Sequence, residues 1–290
     1  FATQKNGTWT VSGVSVVSYR IQKMQVLFMF VLKLNHKGQS EKRWKTIKSY
    51  VMQVFWSGTM IDAYVIRVKD DNTASHAALK ILRTAPNNVN VIMFDAVKPK
   101  DVAKKIRYFG LRWNYPWESE ELDIQSGLIK KAYPTLVKEK RIACFFSHYL
   151  LWIRCVKNEV PIVIHEHDAI YYNDSELPLE DFAKSRFNII GLNSPEKATR
   201  LAAMYDRVVQ ESEGDIVRAP SIDQELIPQG IAGNSSYYIE PAGAQKMIDL
   251  VREYGIWPND AIMCRQLVPT LGQTKKYYTY VQGLESTTSR

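Results

Sequence analysis

Ten residues, Val160-Pro161-Ile162-Val163-Ile164-His165-Glu166-His167-Asp168-Ala169, constrain the fold more than any other stretch. A short run of β-branched apolar residues ends in four consecutive side chains able to ligate a metal. A strand apolar on both faces has to be covered on both faces, as a central strand of a parallel sheet is. Open α/β sheets collect their binding residues just beyond the carboxyl ends of their strands. The stretch therefore predicts a sheet and the place on it where chemistry happens.

The rest of the chain supplies partners for that strand. Ala63 to Val68 reads as a strand and Ala74 to Arg83 as a helix, with Ala77, Ala78, Ile81 and Leu82 on one face. Val89 to Phe94 is a second strand, and Pro99 to Tyr108 a short basic helix with proline in its first turn. Strand and helix alternating at this spacing predict a parallel sheet. Glu139 to Lys157 is the longest helix candidate, with Ile142, Phe145, Phe146, Tyr149, Ile153 and Val156 recurring at three and four residues. Further strands are expected at Phe187–Leu192, Ser235–Ile239 and Tyr277–Val281. A helix is expected at Pro241–Tyr254, with proline at its start and Gly255 past its end. Another is expected from Trp257 through Leu267. Arg112 to Pro134 breaks the rhythm with Trp113, Tyr115, Trp117 and Tyr133 among acids, which suits sugar or base stacking as well as a loop packed on its own rings. Asn193 to Ala232 reads as long and irregular, a span expected to cover a site.

With 46% apolar and 23% charged residues the chain is globular, not disordered. The net charge of +8 is uneven: residues 1–59 carry nine Lys and Arg against Glu41 alone, and the remainder balances. A nucleic-acid contact is thus expected only through the basic 1–59 segment, most basic between Lys37 and Lys48. That segment is expected to be a poorly ordered extension, or translated sequence upstream of a start at Met60. Residues 60–290 are expected to form a single domain. No apolar run approaches the roughly 20 residues of a membrane span. Three cysteines make neither a disulfide framework nor a zinc cage and fit a reducing compartment.

On a strand, His165 and His167 share one face, and Glu166 and Asp168 the other. Two readings follow. The acids suit Mg²⁺ or Mn²⁺ bridging a nucleotide diphosphate. The histidines suit Zn²⁺ or Fe²⁺ in a hydrolase or oxygenase. A polar strand end without metal is the third possibility. Only His36, His76 and His148 remain as further imidazole ligands, so the histidine pair is poorly supplied.

Several segments, in order, resemble glycosyltransferase family 25, the group of lipooligosaccharide and collagen galactosyltransferases. They are Ala143-Cys144-Phe145-Phe146-Ser147-His148-Tyr149-Leu150-Leu151-Trp152; the strand end His165–Ala169, where the family has Leu-Glu-Asp-Asp-Ala; Gly233–Ile239 followed by Gly243-Ala244; Pro258-Asn259-Asp260; and Gln282 with Ser286-Thr287. The likeness spans about Asp62 to Arg290. It departs at the first strand, where the family has Asn-Leu-Asp and this chain has Arg67-Val68-Lys69-Asp70.

The resemblance implies a GT-A-like (Rossmann-like) α/β fold, with a mixed, mostly parallel sheet flanked by helices. It implies an inverting hexosyltransferase that uses a nucleotide-diphosphate sugar, UDP-sugar foremost, and Mn²⁺ or Mg²⁺ held by Glu166 and Asp168. Ile66, Arg67, Ser147, His148, Glu166 and His167 are the expected donor-binding residues. Asp260 is the expected catalytic base and Glu240 the fallback. The acceptor is a hydroxyl on a lipopolysaccharide glycan, a protein or modified DNA. The expected setting is the cytoplasm of a bacterium or phage-infected host, or the periphery of the inner membrane. A hydrolase using His165 and His167, or a non-catalytic glycan- or nucleic-acid-binding relative, is the alternative.

Overall fold

The computed structural model describes residues 2–5, 8–11, 60–133, 135–172, 176–199, 201–285 and 287–288. The chain divides into two compact units, Phe1–Ser57 and Gly58–Arg290. In the first, strands β1 (Ala2–Lys5) and β2 (Thr8–Val11) pair antiparallel, Ala2 opposite Val11. The basic cluster Lys37–Lys48 and the expected disorder of the extension lie outside the described residues.

The second unit is built on one seven-stranded sheet. Its elements, in chain order, begin with β3 (Ile61–Arg67), α1 (Asn72–Thr84), β4 (Val89–Asp95), a 3₁₀ turn at Pro99–Asp101, and α2 (Val102–Phe109). A hairpin follows, β5 (Glu120–Asp123) and β6 (Leu128–Lys131), then the long helix α3 (Lys138–Asn158). Next come β7 (Ile162–Glu166), β8 (Ala169–Tyr171), α4 (Leu179–Lys184), β9 (Ile189–Gly191), α5 (Ala202–Glu211) and β10 (Ile216–Arg218). The chain closes with β11 (Ser236–Ile239), α6 (Pro241–Tyr254), α7 (Asn259–Ile262), β12 (Leu271–Thr274) and β13 (Thr279–Val281).

The sheet runs β10-β12-β9-β11-β7-β3-β4. The pairs β7–β3, β3–β4 and β12–β9 are parallel; β11 is antiparallel to both neighbours, and β10 to β12. Five strands therefore run one way and two the other. This is an α/β sheet with helices on both faces, mixed and mostly parallel in strand direction, in agreement with the sequence.

Period-two alternation sends each strand's residues to two cores. Tyr64, Ile66, Ile162, Ile164, Tyr237 and Ile239 pack towards α3 and α6, with Phe145, Phe146, Trp152, Met247 and Trp257. Ile61, Ala63, Val65, Val163 and Tyr238 pack on the opposite side, with Ala78 and Ile81 of α1 and Phe182 of α4. Burying each large apolar side chain contributes about 1.5–3 kcal/mol, and α3 buries Phe145, Phe146, Tyr149, Leu151 and Trp152 in this core. Helix α6 sits close enough that only glycine fits at 243: a Cβ there would lie 2.6 Å from the carbonyl oxygen of Asn188.

Three expectations are corrected. Arg112–Pro134 is not all loop, for it holds the β5–β6 hairpin. The span Asn193–Ala232 holds α5 and β10. The helix opening at Trp257 covers only Asn259–Ile262, because the Arg265 amide bonds to the Gln229 carbonyl at 2.8 Å and Cys264 bridges Gly230. The last strand, β13, pairs with β8 in a separate two-stranded ribbon outside the main sheet.

Candidate active site

Strand β7 ends at Glu166, so His167 and Asp168 lie in the turn that leads to β8. Glu166 continues the face of Ile162 and Ile164, towards α3. His165 continues the face of Val163, into the opposite core.

On α3, Cys144, His148 and Trp152 recur every four residues and form one line along the helix. His148 is fully buried, and its Nε2 lies 3.3 Å from Glu166 Oε1. Its Nδ1 lies 2.8 Å from the hydroxyl of Tyr237, which also accepts from Trp152 Nε1 at 2.9 Å. The indole can only donate. Every proton finds an acceptor when the Tyr237 hydroxyl donates to Nδ1 and the Nε2–H of His148 donates to Glu166. A buried chain, Trp152–Tyr237–His148–Glu166, thus aims one carboxylate at the end of the sheet.

Three segments converge on Asp168. The Glu166 amide donates to the Ser235 carbonyl at 2.9 Å, and the Gln282 amide donates to the Asp168 carbonyl at 2.9 Å. Asp168 Oδ1 and Gln282 Oε1 are both buried without a hydrogen-bond partner. Burial first, and then the Glu166 charge, push Asp168 up to about 6, while His167 and a Ser235 hydrogen bond pull it back. Burial also pushes Glu166 up, but the His148 hydrogen bond and the electrostatic pull of His148, His167 and Arg141 outweigh it and hold Glu166 below its ordinary range. Of the two carboxylates, Glu166 keeps the charge and Asp168 protonates first. A divalent cation bound between them would relieve this conflict, so the orphaned Asp168 oxygen, its partner carboxylate and the all-oxygen donor set fit Mn²⁺ or Mg²⁺.

Asp260 stands at the start of α7, where Tyr133 donates to its Oδ2 at 2.6 Å. The Arg141 guanidinium lies 4.7 Å from the centre of the Tyr133 ring. The charges of Glu166, Asp260 and Asp168 all bear on the Cys144 thiol, which burial above all pushes well above its ordinary range. These carboxylates therefore border one region. The neighbouring aromatics pack on one another: Trp113 and Trp117 stack at 4.5 Å, and Tyr115 abuts Trp257 at 5.7 Å.

The remaining expected residues fall unevenly. Ile66 is paired with Glu166 across β3 and β7 and is buried; Arg67, beside it, is ion-paired with Asp95. His167 is 9% exposed and near both carboxylates. Ser147 is buried and its hydroxyl is used twice, donating to the Ala143 carbonyl and accepting from the Val97 amide. It braces α3 against the segment after β4 and has no hydroxyl proton left for a donor. Glu240, the fallback base, lies away from the other expected residues. It follows Ile239, which pairs with Ile162 at the start of β7, whereas Ser236 pairs with His165 at its end. At about 3.3 Å per residue these two pairs are roughly 10 Å apart, so Glu240 lies at the opposite end of the strand from Glu166. There it accepts from Asn188 and Tyr238.

His165 removes the histidine-pair reading. It is fully buried, its Nε2 bonds the Tyr171 hydroxyl at 2.7 Å, and burial lowers it to about 3. It sits on the opposite side of the sheet from Glu166. Cys144, Arg141, Trp152 and Tyr237 were not among the site residues expected from sequence, and Tyr133 was named there only as a ring suited to stacking, although the Cys144–His148–Trp152 spacing is visible there. Ser286, one of the residues carrying the resemblance, lies outside the described residues.

An α/β sheet with carboxylates and imidazoles gathered beyond its central strand defines a ligand-binding enzyme of the open-sheet class. The sequence pattern of glycosyltransferase family 25 (LPS biosynthesis protein) matches residues 60–263, and the chain belongs to that family. It is a glycosyltransferase, and its sheet is the mixed, mostly parallel α/β sheet expected. No curated protein matches. Among solved structures the chain is similar to mouse xyloside xylosyltransferase 1 in its apo form, with 12% identity over 74% of this chain and 84% of that one and a TM-score of 0.38. No helix among the described residues is long and apolar enough to cross a membrane.

Proposed function

We propose that the chain transfers a hexose from a UDP-sugar to a hydroxyl of a lipopolysaccharide-type glycan, with inversion at the anomeric carbon. The observation that carries this is the buried, unpartnered oxygen of Asp168 beside Glu166 at the carboxyl end of the central strand. Glu166 and Asp168 hold Mn²⁺ or Mg²⁺, which when bound offsets the negative charge developing on the diphosphate leaving group. His148 orients Glu166. His167 adds a polar contact at the rim, where the nucleotide or donor sugar lies. Asp260, with one oxygen fixed by Tyr133, takes the proton from the acceptor hydroxyl. Ile66 and Arg67 border the donor at the end of β3.

The test is a screen of sugar nucleotides with Mn²⁺, comparing the parent with Asp168→Asn. Donor turnover by the parent and its loss in the variant are expected. Equal turnover by both overturns the metal role. Glycan, protein and hydroxylated-DNA acceptors are run side by side, and product on the glycan is the expected outcome.

A further inference from the structure

Cys144 plays no part in the transfer just described, yet it sits at the centre of the site. Its Sγ, a ring nitrogen of His148 and a Glu166 oxygen all lie within 4.8 Å of one another, and the nitrogen that meets Glu166 is Nε2, at 3.3 Å. Among the described residues no other three His, Cys, Asp or Glu ligand atoms approach so closely. We propose that Cys144, His148 and Glu166 form a binding site for a soft divalent cation, Zn²⁺ or Co²⁺. Its occupancy takes Glu166 away from the hard cation.

The geometry supports three ligands and an open fourth position. Zn–S near 2.3 Å and Zn–N near 2.0 Å place tetrahedral ligand atoms about 3.3–3.8 Å apart. The His148–Glu166 edge is already 3.3 Å, so only the thiol has to close in, by about 1 Å. Cys144 and His148 are four apart on α3 and project from one face. A metal-ligating histidine almost always has its other ring nitrogen fixed by a hydrogen bond. Tyr237 supplies that bond, itself held by Trp152. Glu166 is 29% exposed, which leaves an entry path and room for a water ligand.

The donor set is sulfur, nitrogen and oxygen, which favours zinc and cobalt over manganese and magnesium. On binding, the thiol proton leaves to solvent and His148 changes from its Nε2–H to its Nδ1–H tautomer; the Tyr237 oxygen then accepts from both Nδ1 and Trp152 Nε1, and its own hydroxyl proton rotates away from His148. No redox step is involved.

The experiment titrates chelator-stripped full-length protein with Co²⁺ and follows the near-ultraviolet thiolate-to-cobalt charge-transfer band. One equivalent is expected to develop the band in the parent. Cys144→Ser should abolish it, and His148→Gln should weaken cobalt affinity by at least about tenfold. Circular dichroism of each variant confirms that it is folded. Absence of the band in the parent, or an undiminished band in Cys144→Ser, overturns the site. Added Mn²⁺ should raise the cobalt concentration needed for half-saturation, and cobalt binding indifferent to Mn²⁺ overturns the sharing of Glu166. Only this competition arm rests on the hard-cation reading above. The band needs no sugar nucleotide, so failure of the site and failure of the transferase reading are read separately.

Discussion

Replacing Tyr237 with phenylalanine isolates the polar chain behind Glu166. The ring stays and only the hydroxyl goes, so the packing of Tyr237 in its core is nearly unchanged. What is lost is one acceptor for Trp152 Nε1 and one donor for His148 Nδ1, both fully buried. An orphaned buried polar group costs about 1–3 kcal/mol, and two such groups with partial relaxation cost about 3 kcal/mol together. For a unit of this size 1 kcal/mol shifts the melting temperature by about 2–4 °C, so a fall of about 6–12 °C is expected. Thermal unfolding by circular dichroism, with urea unfolding at constant m-value as the check, measures it. The comparison is Tyr171→Phe, which orphans only His165 Nε2 on the other face and should cost about half as much. A loss below about 0.5 kcal/mol for Tyr237→Phe, within the range of a neutral surface change, would refute the argument that this hydroxyl serves two buried partners.

Other consequences can be measured alongside. Lys130 is fully buried against Asp123 at 3.1 Å and Glu121 at 3.3 Å, so Lys130→Met strands a nearly buried carboxylate and should cost about 3–5 kcal/mol; a variant as stable as the parent in urea would remove the pairing from the account. Gly243→Ala gains about 1 kcal/mol of helix propensity but drives a Cβ into the Asn188 carbonyl, and the clash should win by about 1–2 kcal/mol. A rise in melting temperature would show that α6 can retreat from β9. Burial raises the Glu240 carboxyl above its ordinary value, against the hydrogen bonds from Asn188 and Tyr238. The native state therefore binds this proton more tightly than the unfolded state. Stability falls as pH rises from the unfolded value through the raised folded one, and Glu240→Gln should flatten that decline. Parallel stability–pH curves for the two proteins would contradict it, and unchanged turnover in Glu240→Gln is expected if the base lies elsewhere.

Where the sequence was legible, punctuation and periodicity agreed. Helix α6 begins at Pro241 and ends at Tyr254 as expected, because proline and glycine bound it on both sides. Strand β7 and helix α3 fell within a residue or two, since each carries a long apolar pattern. The hairpin escaped because its four-residue strands show no apolar alternation; their register is held by opposite charges, Glu120 across from Lys131 and Glu121 across from Lys130. Helix α7 is short because Gln229 and Gly230, over thirty residues upstream, claim the backbone that would have continued it. At the site, Glu166, Asp168 and His148 were visible as residue types in a pattern. The tyrosine that orients His148 was not, since nothing local to Tyr237 marks its hydroxyl as more than core. The position of Glu240 was not legible either, because an acid between a strand and a helix carries no record of which end of the sheet it occupies.

The family pattern ends at residue 263, but the sheet does not. Strand β12 lies between β9 and β10, and Gln282 is hydrogen-bonded to the turn that carries Asp168. A chain cut where the family pattern stops would leave β9 with an unpaired row of amides and carbonyls, a ready template for joining another molecule. Strand β12 thus seals the edge of the sheet against self-association, and Gln282 anchors the turn that carries Asp168, the carboxylate proposed to hold the cation.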